Sequence, residues 1–435
     1  MLVTWVSSPK TVHLTITTAC NWNCIFCTAH EEKSPKFYPK EKIVRIIKIL
    51  AESGVNEISL YGGEPSLHPN FLEFGKEIKE HGVCSGFISN GFGIKEETVD
   101  KILDYFDHGG ISIHGFRKEH DLITRTPGSF VETIRAIELL DREGFKIALQ
   151  TTITTLNLFS FPKFIRWMFY KFPSIAVFVI NRGTFTGKNK RFCLNRGEIV
   201  ELVTKVKELK DEGIPVRLGV PIPPCILPNE LRSLASFCSA GIEFADVDGE
   251  GNVYICGTFR KETYLGNIFE KSMSEIWNSD KALYFRTFNW ADSRCLNCKY
   301  FEDCFCGCKL LPQGGYGVDP ISKEKMTVYL TLHPLLKKRK IDNSIAVSQP
   351  YSLSVLFHPD LCFLLDYLRE PREKDEIIKI LCNKGITRSK KEAVNLLTWL
   401  VKLRILIIVY RKNIEDYIIP GDITQDADII SKFSE

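Results

Sequence analysis

Cys20, Cys24 and Cys27 follow an apolar alternating run, Val12 to Ile16, in the spacing C-x3-C-x2-C. Three thiols this close support two kinds of chemistry. They can form half of a zinc site, as Cys-x2-Cys pairs do in zinc modules, with only His30 near enough in sequence to help complete it. They can instead hold three irons of a [4Fe–4S] cluster, which needs four ligands, and leave one iron open to a substrate. A second strand-like run, Glu57 to Tyr61, is followed by Gly62-Gly63-Glu64-Pro65. The glycines let backbone approach a ligand closely, and the edge of such a turn can accept hydrogen bonds from an ammonium.

The cysteine loop, with aromatic Phe26 before its last thiol, and the Gly-Gly-Glu-Pro stretch one βα unit later together resemble the radical S-adenosylmethionine (SAM) superfamily. The resemblance implies that the methionine amino and carboxylate groups of SAM chelate the open iron. It implies further that an electron from the reduced cluster splits the sulfonium to a 5′-deoxyadenosyl radical. By the same resemblance Ser89, Asn90 and Ser112, with His114, contact the ribose and the carboxylate of SAM. Arg125 is a further candidate for that carboxylate, since a guanidinium fork suits it. Plainer readings stand beside these: Asn90-Gly91 is a turn signal, Ser129 an N-cap, and His114 a core or surface histidine.

The stretch 225–320 holds eight more cysteines: Cys225, Cys238, Cys256, Cys295, Cys298, Cys304, Cys306 and Cys308. Their order, C-x12-G-x4-C and then C-x2-C-x5-C-x3-C, resembles the SPASM extension of radical SAM maturases, with two auxiliary iron–sulfur clusters. Between Cys238 and Cys256, Asp248-Gly249 separates apolar runs and predicts a hairpin. The resemblance assigns Cys238, Cys256 and Cys308 to a first auxiliary cluster, with Cys225 as a fourth ligand, and Cys295, Cys298 and Cys304 to a second. The pattern's final cysteine is missing, because none stands between Cys308 and Cys362, and Cys306 is an extra thiol that could substitute. A zinc knuckle over 295–308 is the alternative. Cys84, Cys193, Cys362 and Cys382 read as buried thiols.

Positioning these groups falls to an alternation of short β-rich runs and longer helix-period segments from Thr11 to about Pro215. Strands are expected at 11–17, 56–61, 83–89, 110–114, 146–153 and 175–180. Helices are expected near 39–53, 69–81, 95–106, 129–143, 160–171 and 196–212. Six βα units make an α/β partial (β/α)6 barrel, the fold of the resembled family, and function in such barrels gathers at the C-terminal ends of the strands. The expected domains are a radical SAM barrel over 1–220, a SPASM region over 221–320 and a C-terminal α+β module over 321–435. In the last, strands near 326–333, 343–348 and 352–357 precede helices near 360–369, 374–384 and 389–403. That order resembles winged-helix-like, PqqD-type peptide-recognition domains, which implies a precursor peptide whose leader adds to a sheet edge.

Lys and Arg total 57 against 53 Asp and Glu, a net charge of +4 that gives no basis for a nucleic-acid or anionic-membrane partner. Lys337-Lys338-Arg339-Lys340 reads as a solvated strand end. No apolar run reaches the roughly 18 residues of a membrane span, and no signal peptide is evident, so a cytoplasmic protein is expected. In that compartment 15 cysteines read as metal ligands rather than disulfides. The expected activity is oxidative modification of a ribosomally made precursor peptide, fed by an electron donor such as flavodoxin or ferredoxin. Its rivals are tetrapyrrole or sulfatase-type chemistry, the latter disfavoured by Gly257 after Cys256, and an iron–sulfur redox regulator with a DNA-binding winged helix.

Overall fold

The computed structural model describes residues 7–27, 34–183, 191–309, 317, 319–323, 327–348, 355–403 and 405–412. Two compact units divide the chain, one of residues 1–193 with 202–323 and one of 194–201 with 324–435.

In the first unit, β1 (Thr11–Thr17), α1 (Lys40–Glu52), β2 (Glu57–Gly62), α2 (Phe71–Glu80), β3 (Cys84–Ser89), α3 (Glu96–Tyr105) and β4 (His108–Ser112) follow the expected alternation. After them come α4 (Arg117–Thr124), α5 (Ser129–Arg142), β5 (Ile147–Ile153), α6 (Phe161–Lys171), β6 (Ile175–Arg182), α7 (Arg196–Asp211), whose residues 196–201 are counted with the second unit, and β7 (Val216–Leu218). Strands β1 to β7 pair in sequence order and in parallel. On the other flank of β1 lie β8 (Phe244–Asp248), also parallel, and the antiparallel β9 (Asn252–Tyr254) and β10 (Tyr264–Asn267). The cysteine-rich hairpin therefore extends the same sheet.

Side-chain period explains the two faces of the sheet. Along β5, Ile147, Leu149, Thr151 and Ile153 are buried while Ala148, Gln150 and Thr152 are half-exposed, the two faces of a pleated strand. The apolar stripe of α1, Ile43, Ile46, Ile47 and Leu50, is buried in turn, and the helix is followed by Gly54 at φ +82, as a C-terminal glycine should be.

Three elements of this unit depart from expectation. The fourth strand stops at Ser112 instead of 114, because the His114 N–H goes to the His120 ring at 3.1 Å and not to a neighbouring strand. The unforeseen α4 supplies that ring, and β7 adds a short seventh strand.

The second unit holds a three-stranded antiparallel sheet of Arg372–Glu373, Tyr329–Leu332 and Leu406–Val409 and a second of Lys337–Ile341, Ser344–Ser348 and Val355–Phe357. Helices Leu364–Tyr367, Lys374–Asn383 and Lys390–Lys402 cover a core that includes Leu330, Leu368, Ile377, Leu381, Leu397 and Leu400. Parts of the expected strands, residues 326 and 352–354, lie outside the described residues. Arg411 clasps the fully buried Glu198 through two hydrogen bonds of 2.8 and 2.9 Å. Among the described residues no helix is long and apolar enough to cross a membrane.

Candidate functional site

The cysteine loop leaves the C-terminal end of β1 and is held by a helix end. Four carbonyls at any helix C-terminus lack intrahelical partners. At α4 two of them are taken by the loop: Asn23 N–H donates to Thr124 O at 3.0 Å and Ile25 N–H to Ile123 O at 2.9 Å. That end is fixed by Arg125 in the left-handed conformation, φ +52, at a cost of roughly 1–2 kcal/mol for a non-glycine residue. Asp121 offsets this by accepting from Gly128 N, Ser129 Oγ and Phe130 N, which caps α5. Ser129 is thus the first residue of α5 and Gly128 its N-cap.

Below the loop, Phe26 sets its ring edge on His114 at 5.0 Å and Trp22 on His120 at 5.1 Å, with the two imidazoles stacked at 5.6 Å. His114 Nδ1 accepts from Thr152 N and His120 Nδ1 from His114 N, which fixes both tautomers with the proton on Nε2. Burial pushes His120 down to about 3 and His114 well below its ordinary value. His114 is therefore a neutral wall of the loop.

Gly62 and Gly63 are required by close approach. A Cβ on Gly62 would collide with Thr17 O and one on Gly63 with Ala19 O, because Gly63 N–H and Glu64 N–H donate to those same carbonyls at 2.9 and 2.8 Å. Glu64 is buried, and its carboxylate accepts from Ser66 N (3.0 Å), Ser66 Oγ (2.5 Å), Ser89 Oγ (2.7 Å) and Asn90 N (2.6 Å). Hydrogen bonds to a charged group are worth about 1.5–3 kcal/mol each, so Glu64 clamps the ends of β2 and β3. Asn90 continues the clamp, its Nδ2 donating to Asn21 Oδ1 at 2.7 Å. These bonds gather Cys20–Cys27, Gly62–Pro65, Ser89 and Asn90 at one end of the sheet. Ser112 sits beside Gln150 on the neighbouring strands, half-buried, and Arg125 is exposed.

The neighbouring strands β1, β2 and β8 bring in residues that the motifs did not flag. His13 stacks on Tyr61 at 5.6 Å and stands 3.8 Å from the buried Asp246. Arg260 donates to Thr15 Oγ1 at 2.7 Å. Asp246 accepts from Gly257 N at 2.7 Å, and a Cβ on Gly257 would meet its Oδ1 at 2.6 Å. The carboxylate of Asp246, on β8, thus lies against the Gly257 backbone. Burial raises the Asp246 carboxyl.

In the SPASM stretch the Asp248 turn is held by bonds from Glu250 N, Asn252 N, Asn252 Nδ2 and Tyr254 OH. Cys256 is raised by burial and then by the charges of Asp246, Cys238 and Cys308. Cys295 hydrogen-bonds Cys306 and responds to Cys298, while Cys304 responds to Cys225 and Cys295. Lys309, 1% exposed, donates to Cys238 O at 2.6 Å and lies 5.3 and 5.5 Å from the Phe285 and Phe288 ring centres. Its charge acts on Cys238, Cys308, Cys306 and Cys304. The buried pair Arg182–Asp319 ties β6 to this knot, with Asp319 accepting from Cys308 N at 3.0 Å. Cationic neighbours such as Lys309 and Arg182 carry no spacing signal, so only the fold reveals them.

Among the described residues no three His, Cys, Asp or Glu side chains converge as they would around a single ion; His30 lies outside those residues. A four-iron cluster makes a different demand, one thiolate at each corner of a cube. The chemistry of the donors fits a cationic centre. Burial pushes Cys20 up to about 12, the Glu64 and Cys27 charges add to it, and Cys24 is raised by burial and by its two partners. Metal coordination removes that penalty, since a bound thiol is deprotonated outright.

Residues 14–168 match the Radical SAM superfamily, and residues 238–299 match the SPASM iron–sulfur cluster-binding domain. The chain is 24% identical over 335 residues to the Fe-coproporphyrin III synthase of Methanosarcina barkeri, covering 69% of this chain and 84% of that protein. It is 29% identical over 286 residues to the antilisterial bacteriocin subtilosin biosynthesis protein AlbA of Bacillus subtilis, covering 62% of this chain and 60% of that protein. In fold it is similar to Streptococcus suis SuiB bound to S-adenosylmethionine, with TM-score 0.60, 17% identity and coverage of 74% of this chain and 78% of the other. SuiB bound to its precursor peptide SuiA gives a TM-score of 0.59, at 17% identity and 74% and 77% coverage. The matches supply the cofactors: S-adenosylmethionine with a [4Fe–4S] cluster, and auxiliary iron–sulfur clusters in the SPASM region.

Proposed function

With a radical SAM enzyme bearing a SPASM region as the premise, we propose that the chain oxidatively modifies a ribosomally made precursor peptide. The observation that carries this reading is the second compact unit, whose strand Lys337–Ile341 is exposed along its whole length and pairs on one side only among the described residues. A sheet edge of that kind can add an extended peptide as a further strand. The unit is then a PqqD-like, winged-helix-type recognition module over 321–435. Tethering the leader there raises the effective concentration of the segment to be modified.

In this reading Cys20, Cys24 and Cys27 hold the SAM cluster, and the Gly62–Pro65 backbone, Ser89, Asn90, Ser112 and Arg125 frame its SAM. Glu64, Asn21 and His114 are positioning residues, which act through the loops they clamp. When bound, the cluster and SAM supply a 5′-deoxyadenosyl radical that abstracts hydrogen from the substrate. The chain's part is to hold the target C–H in the lumen and exclude water. Asp246, a buried carboxyl beside His13 and Tyr61, is placed to accept the proton released when the new bond forms. An external flavodoxin or ferredoxin is the expected reductant.

Tetrapyrrole chemistry is the second reading, favoured by the extent of the match to Fe-coproporphyrin III synthase. One experiment separates them. Reconstituted protein, SAM and dithionite are offered a panel of iron tetrapyrroles or a synthetic library of peptides of about 30 residues. Loss of a pair of hydrogens from a peptide, matched by 5′-deoxyadenosine, supports the proposal. A mass change in a tetrapyrrole, matched by 5′-deoxyadenosine and with no peptide change, refutes it.

A further inference from the structure

In the second unit, the strand Lys337–Ile341 places four cations, Lys337, Lys338, Arg339 and Lys340, in a row of five residues, although the whole chain carries a net charge of only +4. Its partner strand, Ser344–Ser348, brings no countercharge. The antiparallel register sets Lys337 against Ser348, Lys338 against Val347, Arg339 against Ala346, Lys340 against Ile345 and Ile341 against Ser344. Residues directly opposite share a face, so the buried Val347 puts Lys338 and Lys340 on the core side. Lys338 bears this out by donating to Leu365 O at 2.6 Å and standing 4.0 Å from Asp366, a carboxylate that also holds Arg369 at 2.7 Å. Lys337, Arg339 and Ile341 lie on the outer face, where Ile341 is 42% exposed. Among the described residues, Lys338–Asp366 is the single ion pair of this run.

Lysines on an edge strand ordinarily deter pairing with other chains. The same charges select a partner when the added strand carries carboxylates, because opposite charges across a sheet stabilise the pairing and like charges oppose it. Deterrence alone gives no use to the exposed isoleucine that ends the outer row. We propose that this edge takes an acidic segment of the precursor peptide, a proposal that rests on the edge being the peptide's docking strand and adds which peptide it accepts. Two carboxylates at alternate positions face Lys337 and Arg339, the next residue on that face is apolar and meets Ile341, and a carboxylate on the opposite face meets Lys340. The run that reads in sequence as a solvated strand end is then the part that chooses the substrate. A nucleic acid would meet the cations as well, but it cannot complete the row of open backbone N–H and C=O groups.

The test offers a displayed library of random dodecapeptides to the full chain and to two variants, Lys337→Glu/Arg339→Glu and Lys337→Gln/Arg339→Gln. Both positions are exposed, and circular dichroism verifies that each variant keeps the fold. Binders of the parent should be enriched in Asp and Glu at alternate positions, and those of the Glu variant in Lys and Arg. By fluorescence anisotropy, the best acidic binder should lose about tenfold or more in affinity on charge reversal, less with the Gln variant. It should weaken likewise as salt rises and the screening length falls from about 10 Å at 0.1 M to about 3 Å at 1 M. N-methylation of alternate backbone amides in the peptide should abolish binding. Binders without excess acid, or the same binders from the parent and both variants, overturn the proposal; if N-methylation still abolishes them, edge docking stands without selection by charge. No binders at all, or binding indifferent to N-methylation, overturns edge docking and the proposal together. A short single-stranded DNA bound more tightly than the best peptide also overturns it, since the cations would then form a nucleic-acid surface.

Discussion

Lowering the pH from 7 to 5 probes how the cysteine loop is seated. His120 lies fully buried under Trp22, and burial holds it at about 3, against 6.5 for a free imidazole. Its folded value is below its unfolded one, so the unfolded segment binds more protons. The stability it permits is complete above pH 6.5 and is lost as pH falls toward 3, at about 1.4 kcal/mol per pH unit. At pH 5 the loss from His120 is therefore about 2 kcal/mol, or about thirtyfold in the opening equilibrium. His114, shifted the same way by burial and by His120, adds a loss of the same sign. Against a typical total of about 5–15 kcal/mol this is a large share. The assay is hydrogen–deuterium exchange of peptides covering 18–27 and 110–127, with intrinsic rates corrected for pH, in the parent and in His120→Gln. Protection of these peptides should fall by about thirtyfold or more from pH 6.5 to 5, relative to α3, and the variant should show a clearly shallower fall. Equal pH dependence in parent and variant, or a segment no more sensitive than α3, would refute the reasoning.

Two further outcomes follow from the geometry. Gly63→Ala places a methyl against Ala19 O and forces the cysteine loop and the β2 end apart, an overpacking cost of about 1–3 kcal/mol; 5′-deoxyadenosine formation, read by chromatography, should drop at least tenfold while helix content by circular dichroism stays unchanged. Lys309→Met keeps the packed stem but removes a buried positive charge that acts on four cysteines; at unchanged iron content, a redox titration should show at least one auxiliary centre moving to lower potential.

The parallel strands and their helices were legible because each carries its own period: the alternation of β5 and the stripe of α1 are local facts. Spacing likewise exposed the cysteines and Gly62–Pro65, whose roles depend on short-range reach. Other features had no local signature. Helix α4 carries buried Glu119, His120 and Thr124 and ends on a left-handed Arg125 without glycine, so its sequence reads as a polar loop. Asn21 and Glu64 meet through Asn90, which follows a different strand from either, and Asp246 reaches Gly257 across a hairpin.

The place of β1 in the middle of the sheet, with β2 on one flank and β8 on the other, bears on how the molecule comes into being during synthesis. Thr11 leaves the ribosome long before its partner Phe244 is made. Strand β1 is thus enclosed late, and closing so long a loop favours slow folding. Until β8 arrives, the bare flank of β1 can add to a strand of a neighbouring nascent chain. A piece trimmed at residue 220 would carry that open flank permanently, so the barrel segment is not a self-sufficient module to be lifted out or grafted.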